Sequence, residues 1–184
     1  MCRKLDECDS CMIAKSKQKN VPKETKTKAS RPGERLFLDI SSMSSESIGG
    51  NNYAVLIVDD FSRFKWCFLL KKREFLTEKV LPFLTNIKKN YDLQEVRMDG
   101  AQENHTLGNE LIKINVTVEY VPRKSPQLNG VVERAIATSV ARARAMLTQA
   151  GLGSYMRRRF WAEALNTSVV VSNLLTKSGN VKPP

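Results

Sequence analysis

Leu36-Phe37-Leu38-Asp39-Ile40 is a short apolar run with a carboxylate inside it, closed by Ser41-Ser42. A run of this length bounded by turn residues reads as a buried strand. Burying its carboxylate is costly unless it is paired, hydrogen-bonded or bound to metal. The plainer alternative is a strand residue on an exposed face.

The fold follows by working outward. Gly49-Gly50-Asn51-Asn52 breaks the chain, and 53–58 and 63–70 are two further β-rich runs joined through Asp59-Asp60-Phe61-Ser62. Three strands with short connections are most simply an antiparallel meander. Helical spacing then takes over: Phe75, Val80, Leu81, Leu84 and Ile87 mark an amphipathic helix over roughly 74–91. A fourth strand over 94–98 ends at Asp99-Gly100, and a short helix near 107–114 and a fifth strand over 117–121 follow. Pro122 and Pro126 bracket a loop. Beyond Asn129-Gly130 a long helix runs to about 150, with Val132, Ile136, Val140, Ala143 and Leu147 as its core stripe. A last helix spans about 155–175. This order predicts an α/β domain with a five-stranded mixed sheet flanked by helices.

The 184 residues suit one domain with a small appendage. Hydrophobic residues make up 41% of the chain, enough for a core and too many for a disordered chain. No apolar run reaches the roughly 18 residues of a membrane span, and no secretory pattern follows Met1, so an intracellular protein is expected. The net charge of +11 favours a polyanionic partner, nucleic acid first and an anionic membrane surface second; simple solubility is the bland alternative.

Residues 1–33 differ from the rest. Lys15, Lys17, Lys19, Lys23, Lys26 and Lys28 punctuate a segment with few large apolar residues, closed by Arg31-Pro32-Gly33. It reads as a basic linker, or as an ordinary solvated tail. Before it, Cys8-Asp9-Ser10-Cys11 is a close thiol pair, half a metal site in a reducing compartment. The expected division is 1–33 a short Cys-bearing remnant followed by a basic linker, 34–176 core and 177–184 tail.

Two more carboxylates accompany Asp39. Asp99 ends the fourth strand, the edge where open α/β sheets build sites; alone, it reads as a turn residue before glycine. Glu133 falls in the first turn of the expected long helix, where an acid equally serves the helix dipole. Together the three make an all-oxygen set suited to Mg²⁺ or Mn²⁺.

Five strings carry a resemblance: Leu38-Asp39 after a Pro-Gly-Glu lead-in; Ile57-Val58-Asp59-Asp60-Phe61-Ser62-Arg63; Arg97-Met98-Asp99-Gly100; Ser125-Pro126-Gln127-Leu128-Asn129-Gly130-Val131-Val132-Glu133-Arg134; and Phe160-Trp161-Ala162-Glu163-Ala164. The chain resembles the integrase catalytic core of copia-type (Ty1/copia) retrotransposons, DDE polynucleotidyl transferases of the ribonuclease H-like superfamily. The resemblance implies a ribonuclease H-like fold and a triad of Asp39, Asp99 and Glu133 holding two Mg²⁺ or Mn²⁺ ions. It implies 3′-end processing and strand transfer on double-stranded DNA, a homo-oligomer, and a place in the nucleus and the retrotransposon particle. It also makes Cys8 and Cys11 the second half of a zinc module whose histidines lie upstream, so an incomplete site is expected here. His105 is a poor substitute ligand, and Cys67 reads as core.

Two departures stand out. The Asp99-to-Glu133 spacing is 34 positions, slightly shorter than is usual in the family, and Asp99-Gly100-Ala101-Gln102-Glu103 replaces a more glycine-rich turn. Lys124, Gln127 and Asn129 sit on the expected pre-helix loop, as DNA contacts or as turn chemistry. Arg134 and Arg144 lie on the long helix as phosphate contacts or as solvated surface; Arg144 is eleven residues past Glu133, about three turns on the same stripe. Arg157-Arg158-Arg159 is a sharper basic cluster or a solvated helix start. Asp59 and Asp60 are expected to be structural, with Arg63 a local partner. The rivals to an active integrase core are a catalytically inactive DNA-binding relic and a ribonuclease H-like nuclease.

Overall fold

In a computed structural model of the chain, residues 28–122 and 126–175 are described, and the side chains of 126–128 are not. Five strands, β1 (Arg35–Ser42), β2 (Tyr53–Asp59), β3 (Lys65–Leu70), β4 (Glu95–Asp99) and β5 (Thr117–Val121), form one sheet in the order β3-β2-β1-β4-β5. The first three are antiparallel neighbours, the expected meander, while β4 and β5 join β1 in parallel. Parallel pairing requires crossovers. The helix α1 (Leu76–Tyr91), entered through a 3₁₀ turn at Arg73–Phe75, carries β3 to β4; α2 (Gln102–Lys113) carries β4 to β5. Helices α3 (Pro126–Gln149), α4 (Ser154–Arg159) and α5 (Trp161–Leu174) close the chain.

Both faces of the sheet are covered, which is why the central strands read as nearly unbroken apolar runs. Alternation on β1 sends Leu36 and Leu38 to one face and Phe37 to the other. The first face joins Val55, Ile57, Val96 and Met98 to Val80 and Leu84 of α1 and Leu107 and Leu111 of α2. On the second, Phe37, Leu56 and Val58 meet Val132, Ala135 and Val169, while Ala54 meets Ala143, Ala164 and Leu165. Each fully buried aliphatic side chain contributes about 1.5–3 kcal/mol, and Leu36, Leu38, Val55 and Ile57 are wholly enclosed at the sheet centre.

The pair Asp59 and Asp60 is structural, as expected. Asp59 accepts hydrogen bonds from the backbone N–H of Gly33 at 2.8 Å and Ser62 at 2.7 Å. Asp60 accepts from the Ala29 N–H at 2.8 Å and pairs with Arg63 at 3.1 Å. These contacts fasten residues 29–33 to the turn after β2, so the end of the basic segment belongs to the folded unit. Gly33 meets this geometry with φ +76°, a region open to glycine.

Three helix boundaries depart from the sequence reading. Helix α2 begins at Gln102, before any apolar periodicity, because the side chain buried in its first turn is Asn104. Helix α3 begins at Pro126, a residue suited to a first helical position, so Asn129-Gly130 is helix rather than turn. The last helix is two, divided at Phe160 with φ −93° and ψ 12°.

Candidate active site

Asp39 follows Phe37 by two residues on β1 and so shares its face, under α3. The parallel register sets Arg35 opposite Glu95 and Phe37 opposite Arg97. The registered pairs end there; Asp39 and Asp99 each stand two residues further along these adjacent strands, and the Asp99 charge acts on Asp39. The sheet therefore places the two strand carboxylates on neighbouring central strands, one in the second half of β1 and one at the carboxyl end of β4.

Glu133 stands exposed on α3, the helix packed over β1 and β2 and touching β4. Because α3 starts at Pro126, Glu133 lies about two turns inside it. The helix-dipole explanation for this acid falls, since the dipole acts within the first turn.

The three charges meet electrostatically. Burial pushes the Asp39 carboxyl up to about 6, and the neighbouring charges of Asp99 and Glu133 push in the same direction; the Ile40 N–H at 2.8 Å and the Arg73 guanidinium oppose the rise. Asp99 is held differently. Its Oδ1 accepts from the Ala101 N–H at 3.2 Å and from the Asn104 side-chain amide, which also donates to the Asp99 carbonyl at 3.1 Å. Asn104 is 1% exposed and acts as a clamp on Asp99.

The donor set suits a hard divalent cation: three carboxylates, one of them half-buried. Among the described residues, though, no three carboxylate, imidazole or thiol groups converge closely enough to hold an ion as they stand. Chelation would require the three carboxylates to draw closer together.

Arg73 is a neighbour the sequence did not announce. It pairs with Glu103 at 2.7 Å, donates to the Ser42 hydroxyl at 2.9 Å and lies 5.2 Å from the Tyr53 ring centroid. In the string Lys71-Lys72-Arg73-Glu74 it reads only as solvated charge. Asn104 likewise carries no motif signal, because its contact is made five residues back across a turn.

The supporting residues are scattered. Asn129 is buried inside α3 at 4% exposure, and its Oδ1 has no partner among the described residues, so its expected place on a surface loop is corrected. Gln127 is helical too, with its side chain outside the described part, and Lys124 lies outside it altogether. Arg134 and Arg144 are exposed on α3. His105 is exposed on α2 with its ring 4.3 Å from that of Tyr120. Cys67 is half-buried in β3, its thiol pushed up to about 12 by burial. Cys8 and Cys11 lie outside the described residues.

No family model matches the sequence. The chain is 28% identical over 171 residues to the retrovirus-related Pol polyprotein from transposon TNT 1-94 of Nicotiana tabacum, covering 90% of the chain. It is 25% identical over 174 residues to that from transposon RE2 of Arabidopsis thaliana, covering 94% of the chain. It spans about 12% of the length of each. In structure it is similar to the catalytic core domain of BIV integrase, with TM-score 0.56 and 16% identity over 82% of this chain and 90% of that one. It is also similar to a chain of the simian T-cell lymphotropic virus intasome in complex with PP2A regulatory subunit B56 gamma, with TM-score 0.70 and 13% identity over 96% and 60%. Those identities speak for the fold. The chain is thus similar over nine-tenths of its length to retrovirus-related Pol polyproteins of plant transposons, and its five-stranded mixed sheet has the ribonuclease H-like fold of the integrase catalytic cores it resembles.

Proposed function

We propose that this chain is a retrotransposon integrase core, a DDE polynucleotidyl transferase that processes DNA 3′ ends and joins them to target DNA. The observation that carries the reading is the placement of Asp39 and Asp99 on adjacent parallel strands, with Asp99 and Glu133 both close enough to raise the Asp39 carboxyl. Asp39, Asp99 and Glu133 would hold one or two Mg²⁺ or Mn²⁺ ions. Such ions, when bound, activate an attacking oxygen and stabilise the leaving one. The protein's share is positioning. The sheet fixes two carboxylates, Asn104 fixes the orientation of Asp99, and α3 brings the third. Water first, and then a DNA 3′-hydroxyl, attacks a phosphodiester in line. The substrate is double-stranded DNA, element ends and target, and the working unit is a homo-oligomer; both readings rest on the likeness to integrases, one of them within an intasome.

The test is end joining and nicking of duplex DNA in Mn²⁺, wild type against Glu133→Gln. The expected result is a loss on the order of 10³-fold in the variant, with DNA affinity unchanged. Equal activity in both would remove Glu133 from the chemistry.

A second reading has its own support. No three ligands converge among the described residues, which fits a DNA-binding relic without turnover. Wild-type protein that binds DNA but neither joins nor nicks it would favour that reading.

A further inference from the structure

A groove of about 590 Å³ opens at the end of β1, its lining beginning at Ser41, two residues past Asp39. Its floor is the serine-rich stretch 41–45. One wall is the second half of α3, including Arg144, and the other is α4 with Arg157 and Arg158, closed by Trp161. The floor is tied to the α4 wall and to Trp161. The Ser45 hydroxyl donates to the Arg158 carbonyl at 2.7 Å, and the Trp161 indole N–H donates to the Ser45 carbonyl at 2.8 Å. The groove is thus built into the fold and does not depend on a free loop.

Its charge is one-sided. None of its lining residues is acidic. Elsewhere, Arg31, Arg35, Arg63, Arg73, Arg97 and Arg159 each have a carboxylate within ion-pair reach. Arg144, Arg157 and Arg158 make no such pair among the described residues, and all three are exposed; Arg134 and Arg142 on α3, outside the groove, share that state. Three unneutralised guanidinium groups over a floor of hydroxyl donors match a phosphodiester backbone, which guanidinium binds in a forked geometry. The α3 stripe that carries Glu133 reaches Arg144 eleven residues on, about 16 Å along the helix axis. At a rise of about 3.4 Å per nucleotide, that is roughly five nucleotides of duplex.

We propose that this groove holds the sugar–phosphate backbone of DNA about five nucleotides from the reacting phosphate. The position of that phosphate rests on the function proposed above; the binding itself does not. An acidic polypeptide is the other occupant such a groove would take, and the test separates them.

The full chain is titrated with a blunt duplex in the absence of divalent metal, across a range of salt. Each phosphate contact contributes about 0.9 to the slope of log K against log salt. Replacing Arg144, Arg157 and Arg158 together by Ala is expected to flatten the slope by about 2 to 3 and weaken binding more than tenfold at low salt. A charge-matched control replaces Lys79, Lys89 and Lys113, exposed on α1 and α2 over the opposite face, and is expected to change the slope by less than about 1. Unfolding midpoints are followed in parallel; if the triple Ala variant unfolds, the milder Arg157→Gln, Arg158→Gln pair is read by the same criterion. Equal losses in the groove and control variants would overturn the proposal. So would an unchanged slope, or a loss of poly-glutamate binding with duplex binding retained. End joining by a protein whose groove variant keeps its slope would sink this inference alone. Groove-dependent binding without joining would sink the catalytic reading and leave this one standing.

Discussion

Asp39 is held in a state that its surroundings disfavour. An ordinary aspartate has its pKa near 3.8, and here the folded chain raises it to about 6 through burial first and the Asp99 and Glu133 charges after. The native state therefore binds this proton more tightly than the unfolded chain does. Stability from this group is complete below about pH 4 and is lost as pH rises toward 6. The difference is at most about 3 kcal/mol, from roughly two pKa units at 1.36 kcal/mol each. Asp39→Asn should accordingly raise the urea midpoint of the metal-free protein at pH 7.5 and leave it nearly unchanged at pH 4. An equal change at both values would show that Asp39 is not strained as a carboxylate. At this scale the sequence was partly legible. A carboxylate inside Leu36–Ile40 and another at a strand end are visible as breaks in hydrophobic pattern. Arg73 and Asn104 are not, because an ion pair thirty residues away and a clamp across a turn leave no periodic trace.

Among the elements, the strands were the most legible, since a buried strand is a local apolar run with turn residues at each end. β5 stands at its expected residues, and β4 is displaced by one. Helix starts were misplaced where a polar side chain is buried or a turn signal sits inside a helix, as at Asn104 and at Asn129-Gly130. Tertiary packing decided both. The same close packing makes α2 sensitive at Gly108, where an added Cβ would meet the Tyr120 hydroxyl on β5 and lie 3.0 Å from Tyr120 Cζ. Gly108→Val is expected to cost about 2 kcal/mol or more through overpacking, read as a lower urea midpoint with an unchanged slope. A variant as stable as wild type would mean that α2 and β5 are not in close contact.

For the whole molecule, the sheet order could be anticipated as α/β with a meander, but the pairing of β1 with β4 could not. That pairing spans sixty residues, and it is what puts two distant aspartates on neighbouring strands. The charge of +11 is likewise a whole-molecule property whose location only the fold reveals, with three of the arginines that lack an ion pair lining one groove. No helix among the described residues is long and apolar enough to cross a membrane.

Everything proposed about catalysis depends on whether Asp39, Asp99 and Glu133 act as one ligand set, although they do not converge to chelating distance as they stand. Mn²⁺ titration by calorimetry at pH 7.5 tests this directly, comparing wild type with Asp39→Asn, Asp99→Asn and Glu133→Gln. The account predicts saturable binding in wild type, at least tenfold weaker in each of the three variants. Binding of equal strength in all four proteins, or none in wild type, would contradict it.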